Sequence, residues 1–162
     1  MVSPWWGNVP THIVGQVAKS LILCHLDYCA PVWSSASKGQ LKKLQTAQNR
    51  AARLVLHCPI RTNTINMHHQ LSWYTVENRL AFNMITFFRS TVFFSQPVFL
   101  YNQIFRCHQV HCHLTRSAND GQMMLPHPKS NVLKKTVIYR AINHWNNCPL
   151  NICKLNSKIS FK

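Results

Sequence analysis

One segment of this chain, from Ser37 to about His57, constrains the fold most because it fits a single long amphipathic helix. Ser37 and Gln40 have the spacing of a capping box, in which each side chain hydrogen-bonds the backbone of the other at a helix start. At 100° per residue, the residues expected to pack gather on one side, and the basic residues gather on the other. The packing side consists of Leu41, Leu44, Gln48, Ala51, Val55 and Cys58. The basic side, called the cationic ridge below, consists of Lys42, Lys43, Arg50 and Arg53.

Two further helices are predicted, one on each side of this segment. Apolar residues recur at three and four positions from Ile13 to about Tyr28, and Pro31 is expected to end that helix. After a polar loop, the other helix begins with Thr75 as its N-cap and Glu77 in its first turn, where the helix dipole favours an anion. Its apolar residues are interpreted as core: Val76, Leu80, Ala81, Met84, Ile85 and Phe88.

The character of the sequence changes after Phe94. Prolines interrupt the chain, histidines cluster, and helical periodicity returns only over about 132–145. The predicted fold class is therefore mainly α, with a small helical bundle followed by an irregular, partly helical C-terminal region. The predicted domains are an irregular lead-in over 1–17, a helical domain over 18–94 and a basic C-terminal region over 95–162.

The charge balance is the strongest indication of function. Lysine and arginine number 18 against three carboxylates, which gives a formal net charge of +15. The basic residues are spread along the chain, so the folded surface should attract phosphates and release them as salt rises. The simpler alternative is that the charge serves only solubility. The cationic ridge favours phosphate contact because no carboxylate lies on it to form ion pairs along the helix.

The sequence predicts an intracellular protein, in the nucleus or cytoplasm, that is not secreted. Residues 1–10 lack the basic and apolar regions of a signal peptide. The most apolar stretch, over 84–101, is interrupted by Arg89 and Pro97, so no membrane span or membrane partner is predicted. The seven cysteines are expected to be thiols, because the predicted compartment is reducing.

The acidic residues do not fit phosphoryl-transfer catalysis. Polymerases and nucleases use several carboxylates close together to hold two metal ions. Asp27, Glu77 and Asp120 lie far apart in the sequence. No glycine-rich phosphate-binding motif is present either. We therefore predict no catalytic residue, no cofactor and no enzyme activity for the chain by itself.

Histidine and cysteine form two groups that could suggest zinc. The first comprises Cys107, His108, His111, Cys112 and His113, and the second comprises His144, Cys148 and Cys153. Neither has the two separated ligand pairs of a strong zinc signature, so no metal site is predicted. Basic and aromatic residues also alternate near the end, at Tyr139-Arg140 and His144-Trp145. These rings could stack on bases or could anchor a small core.

A set of short motifs resembles one known family in both order and spacing. The N-terminal motifs are HLDYCAPVWS over 25–34, KKLQ over 42–45, QNRAAR over 48–53 and LSW over 71–73. The later ones are TRS over 115–117, LP over 125–126, PK over 128–129, KK over 134–135, YR over 139–140 and WN over 145–146, followed by Pro149. From about residue 18 onward the chain resembles the region downstream of the palm in reverse transcriptases of non-LTR retrotransposons, of the jockey and related LINE-like type.

The resemblance implies a helical, thumb-like part and a C-terminal region that hold template and primer. The palm's Tyr-x-Asp-Asp motif and the endonuclease are absent from the sequence, so a polymerase palm domain supplied elsewhere is a possible partner. The expected ligand is the backbone of RNA or DNA, bound without sequence readout. Two sets of residues are predicted to contact phosphates: Lys42, Lys43, Arg50 and Arg53, and then Arg116, Lys129, Lys134, Lys135 and Arg140.

Two alternatives remain open at the level of sequence. The chain could be a truncated transposon-derived remnant with no selected biochemical function, whose apolar helices once packed on a missing palm. It could also be a small zinc-binding nucleic-acid module that uses its histidines and cysteines. The sequence does not distinguish RNA from DNA as the preferred ligand.

Overall fold

Helices make up most of the described part of the chain, which comprises residues 9–107 and 122–149 of a computed structural model. This confirms the predicted mainly α class. Among these residues, β pairing is limited to an isolated antiparallel bridge between Arg106 and Met123. The chain divides into two compact units, Met1–Leu80 and Ala81–Lys162. The predicted division at 17 and 94 stays a prediction.

The first helical stretch starts earlier than its apolar pattern predicted. Helix α1 spans Thr11–Ala18, a π-helical turn spans Lys19–Leu23, and α2 spans Cys24–Asp27. The helix was predicted from Ile13, so the structure adds Thr11 and His12 at its start. The π turn widens the helix between α1 and α2.

The prediction that Pro31 ends the first helical stretch is wrong. The helix ends at Asp27, because Tyr28 is extended and Cys29 is left-handed with φ 53°. Pro31 lies in the first turn of the next helix, α3, which spans Ala30–Trp33. A first-turn backbone N–H has no partner within its helix, so proline is well tolerated there.

Helix α4, Lys38–Leu56, forms as predicted from its capping box. The Ser37 hydroxyl accepts from the Gln40 backbone N–H at 3.4 Å, and the Ser37 backbone N–H donates to Gln40 Oε1 at 3.0 Å. At the other end His57 is left-handed, with φ 51°, and the Cys58 N–H donates to the Arg53 carbonyl at 3.1 Å. Local signals therefore fix both ends of α4.

Removing the Ser37 hydroxyl should destabilise the first unit. We expect Ser37→Ala to lower its free energy of unfolding by about 1 kcal/mol, because a backbone N–H of the first turn loses its acceptor. Chemical denaturation followed by circular dichroism measures this change. Ser20→Ala is the control, since the Ser20 hydroxyl only donates back to carbonyls of its own helix. A loss for Ser20→Ala equal to that for Ser37→Ala would contradict the capping role.

The loop predicted between α4 and Thr75 contains a helix that the sequence reading missed. Helix α5 spans Thr64–Leu71, and the side chain of its N-cap Asn63 accepts from the Ile65 N–H at 2.9 Å. Helix α6 then spans Val76–Phe94. The Thr75 hydroxyl accepts from the Asn78 N–H at 3.3 Å, which confirms the predicted cap, and Glu77 lies in the first turn.

The first unit buries two apolar clusters. One joins the first helical stretch, α4 and α5, and the other joins α3, α4 and the start of α6. Arg79 on α6 also donates through Nε to Asp27 Oδ1 at 2.6 Å and pairs with the second carboxylate oxygen. The first cluster consists of Leu23, Ala51, Ala52, Val55, Met67 and Trp73, and the second of Ala30, Val76 and Leu80.

The second unit has a core of its own. Helix α7 spans Val98–Tyr101, a 3-10 turn spans Leu133–Lys135, and α8 spans Val137–Asn146, close to the return of periodicity predicted over 132–145. The Asn146 amide exchanges hydrogen bonds with the backbone of Met123, at 2.8 and 3.0 Å. The core consists of Met84, Phe88, Met123, Ala141, Ile142 and Trp145. No helix in the described ranges is both long enough and apolar enough to cross a bilayer.

Candidate nucleic-acid interface

The cationic ridge lies on α4, and three of its four residues reach solvent. Lys42, Lys43 and Arg50 are exposed, whereas Arg53 is half-buried. The residues of the ridge do not all line the same pocket. Lys43 and Arg50 line one groove, and Lys42 lines a different cleft. The helical period placed these residues on one side of α4, but the neighbouring elements divide them.

The groove lined by Lys43 and Arg50, called the α4 groove below, has the chemistry of a surface that binds a nucleic-acid backbone. Its volume is about 450 Å³, and it is open to solvent. Two cations flank a floor of small and apolar side chains, and no carboxylate is among the described residues that line it. Such a surface can contact phosphates electrostatically and the sugar by packing. The lining consists of Ile22, Lys43, Thr46, Ala47, Arg50, Ala51 and Leu54.

The cleft lined by Lys42, called the polar cleft below, is larger than the α4 groove but less cationic. Its volume is about 600 Å³, and Lys38, Lys42 and Glu77 all line it. The carboxylate of Glu77 offsets part of the field of the two lysines. An anion would therefore gain less from this cleft than from the α4 groove.

The amide and imidazole side chains of the polar cleft hydrogen-bond with one another and with nearby backbone groups. Gln45 Nε2 donates to Asn49 Oδ1 at 2.9 Å and to Gln48 Oε1 at 3.1 Å, and Gln45 Oε1 accepts from the Val76 N–H at 2.8 Å. His68 Nε2 lies 2.8 Å from Asn49 Oδ1, and its Nδ1 lies 3.3 Å from the Trp73 carbonyl. These bonds hold α4, α5 and the start of α6 together. Their role is accordingly structural.

Arg53 occupies a different environment from the rest of the ridge. Its Nε is buried and has no hydrogen-bond partner among the described residues. Arg53 lies in the last turn of α4, where the helix dipole favours a cation. Its stem is partly covered, so it presents less of its charge to a ligand than Lys43 or Arg50. Phosphate contact by Arg53 stays a prediction.

The second predicted set belongs to the second unit, and its contact with phosphates stays a prediction. Lys129, Lys134 and Lys135 are exposed, the latter two on the 3-10 turn before α8. Arg140 is half-buried, and burial lowers the pKa of its guanidinium below the ordinary value because desolvation disfavours the charge. Arg116 lies outside the described residues.

The histidine and cysteine groups are only partly described. Cys107 is buried, His144 lies in the last turn of α8, and Cys148 lies two residues after the end of that helix. His108, His111, Cys112, His113 and Cys153 lie outside the described residues. Within the described ranges, no three His, Cys, Asp or Glu side chains come together as metal ligands do. The described cysteines, Cys24, Cys29, Cys58, Cys107 and Cys148, form no disulfide bond with one another.

Comparison with known proteins gives one partial match. A segment of 54 residues, 33% of this chain, is 32% identical to the "Probable RNA-directed DNA polymerase from transposon BS" of Drosophila melanogaster. The chain is similar to a transposon reverse transcriptase. The match spans 6% of that protein's length. The similarity indicates a reverse-transcriptase-like relationship and a transposon-derived origin. No family model and no solved structure matches the chain.

Two features of the structure were not reached by reasoning from the sequence. Gln45 was not singled out, because its position on α4 falls between the packing side and the cationic ridge. The exposed aromatic residues Phe93 and Phe94 were also overlooked, whereas Trp145 was considered for base stacking. Trp145 is buried against Phe88, with ring centroids 5.6 Å apart, so the alternative of a core role is correct for this ring.

Proposed function

We propose that this chain is a nucleic-acid-binding segment of a non-LTR retrotransposon reverse transcriptase, and that it holds the backbone of template or primer without catalysing by itself. The observation that carries this proposal is the α4 groove, where Lys43 and Arg50 flank an apolar floor. The similarity to a transposon polymerase supports the same class of ligand.

The wider charge distribution supports this proposal. The chain carries a formal net charge of +15. Of the carboxylates in the described ranges, Asp27 is paired with Arg79, and Glu77 lies in the polar cleft. Neither of these carboxylates lines the α4 groove. The two cations of the groove would bind RNA or DNA through the phosphates, which are the same at every position of a strand. The second predicted set would contact phosphates separately, through the other unit.

The test is the salt dependence of binding by a variant that removes only charge. Lys43→Gln combined with Arg50→Gln should lower the slope of log affinity against log salt by about 1.4 for a single strand or about 1.8 for duplex DNA, because two phosphate contacts are lost. Binding is measured to single-stranded RNA, duplex DNA and an RNA–DNA hybrid. The salt range runs from about 50 to 200 mM. Glutamine keeps a long side chain and favours helix, so α4 should remain intact.

The matched control removes the same charge elsewhere in the first unit. Lys38 and Arg61 are exposed, and neither lines the α4 groove. Lys38→Gln combined with Arg61→Gln should leave the slope close to that of the unchanged chain. Equal reductions for the two pairs would mean that charge acts diffusely and that the α4 groove is not the contact surface.

One observation favours a second candidate, a transposon-derived remnant without a selected biochemical function. The first helical stretch leaves Ile13, Val17 and Leu21 exposed, and Leu21 is 64% exposed. An uncovered apolar row is characteristic of a helix that has lost its packing partner. The two candidates differ in cooperativity. A remnant that folds poorly should bind apolar dyes and show no cooperative melt, whereas a functional binding segment should melt sharply.

A further inference from the structure

The second unit leaves an unusual number of aromatic rings in solvent along one short segment. Phe93 and Phe94 end α6 and are 62% and 60% exposed, Phe99 on α7 is 65% exposed, and Phe105 is 53% exposed. These four residues are called the aromatic segment below. The same unit buries Phe88 and Trp145, so its core does take up aromatic rings. Large apolar side chains exposed as a group indicate a binding surface.

The geometry at the end of α6 suits stacking. The rings of Phe93 and Phe94 meet edge to face, with centroids 5.1 Å apart and an interplanar angle of 79°. The Arg89 guanidinium lies over the Phe93 ring, 5.9 Å from its centroid. The edge-to-face contact occupies an edge of one ring and one face of the other, and Arg89 covers one face of Phe93, so these contacts leave two of the four ring faces available. A ring face beside a guanidinium is a common platform for a nucleobase and its phosphate.

The charge of the chain limits which molecule could bind to the aromatic segment. No carboxylate occurs in the sequence between Glu77 and Asp120, so the aromatic segment lies in an acid-free stretch. A second copy of the chain would bring another formal charge of +15 to the same surface, which opposes self-association. A polyanion that also carries flat apolar groups matches both properties. Single-stranded nucleic acid is such a partner, because its bases are free to leave their stack, whereas a duplex hides the base faces.

We propose that single-stranded RNA or DNA binds to the aromatic segment with bases stacked on Phe93 and Phe94. This inference rests on the proposed function and extends it, because it adds contacts to bases where the α4 groove contacts only phosphates. Stacking accepts any base, since every base has a flat face. The segment would therefore hold an unpaired strand without selecting its sequence.

The test compares a strand that has bases with a strand that lacks them. The probes are single-stranded oligouridine and an abasic strand of the same length and charge. Phe93→Leu combined with Phe94→Leu keeps the apolar bulk but removes the flat rings. We expect this variant to bind oligouridine at least about fivefold more weakly for each base that was stacked. Its affinity for the abasic strand and its salt slope should not change, because no cation is removed.

A second aromatic substitution serves as the control. Tyr74 is 63% exposed but belongs to the first unit, outside the aromatic segment. Tyr74→Leu should leave the affinity for oligouridine unchanged. Circular dichroism melts of both variants establish that they fold, which is expected because all three side chains are exposed.

The outcomes separate this inference from the proposed function. The inference would be overturned if the two leucine substitutions left the affinity for oligouridine unchanged. It would also be overturned if the free chain formed an oligomer that these substitutions dissociated, because the rings would then bind a second copy of the chain. Equal binding of oligouridine and the abasic strand by the unchanged chain would also overturn it. If the leucine variant loses affinity while Lys43→Gln with Arg50→Gln keeps its full salt slope, the inference stands and the proposed role of the α4 groove fails. The reverse pattern leaves the α4 groove as the sole contact.

Discussion

Replacing Ile142 with alanine is expected to remove about 2–5 kcal/mol from the free energy of unfolding of the second unit. Ile142 lies on α8 with 0% of its surface exposed and packs in a core with Met84, Phe88 and Trp145. The substitution removes buried methyl groups and leaves a cavity that the surrounding side chains fill only in part. A core of this size in a small unit has little stability to spare.

Urea denaturation followed by tryptophan fluorescence measures this loss when Trp73, in the core of the first unit, is replaced with phenylalanine in every variant compared, so that Trp145 reports on the second core. Val132→Ala is the control in the same unit, because Val132 is 74% exposed and its methyl groups lie in solvent. That change should stay within about 0.5 kcal/mol of the unchanged chain. A different result would be that the unchanged chain and both variants all unfold without a cooperative transition. The second unit would then lack a defined core, and the remnant candidate would be favoured.

The parts of the fold that were predicted correctly are those encoded by neighbouring residues. The capping pair Ser37 and Gln40 starts α4 through contacts within one helical turn, and Thr75 caps α6 in a similar way. Both helices are also long enough for the apolar period to repeat several times. Signals of this kind do not depend on the rest of the chain.

The short elements depend on tertiary packing, and sequence patterns describe them poorly. Helix α5 has eight residues, too few for a helix that is stable alone, and it exists because Met67 and His68 are buried. Pro31 was interpreted as a helix stop, yet a proline is equally compatible with the first turn of a new helix. The choice depended on the left-handed conformation of Cys29, which nothing in its side chain required.

The candidate interface shows a similar limit. Periodicity along α4 correctly placed Lys42, Lys43 and Arg50 on solvent-facing positions, because it needs only the geometry of one helix. It could not predict that Ile22 from another helix and Glu77 from α6 would contribute to two different surfaces. Distances between residues that are far apart in sequence decide which cations act together.

Replacing Gln45 with leucine is expected to destabilise the first unit by about 2–4 kcal/mol. Gln45 donates to Gln48 and Asn49 on its own helix and accepts from the backbone N–H of Val76, which is buried at the start of α6. Leucine has a similar volume and favours helix, so the loss comes from the hydrogen bonds. A buried N–H left without an acceptor is costly because it has also lost its water.

Chemical denaturation of Gln45→Leu, with Gln70→Leu as control, measures this loss. Gln70 is exposed on α5, so its substitution should change stability by no more than about 0.5 kcal/mol. Gln45 lines the polar cleft and does not line the α4 groove. Well below its melting temperature, the variant should therefore keep the salt slope of the unchanged chain. A stable variant that lost that slope would mean that the polar cleft, with Lys38 and Lys42, holds the phosphates instead.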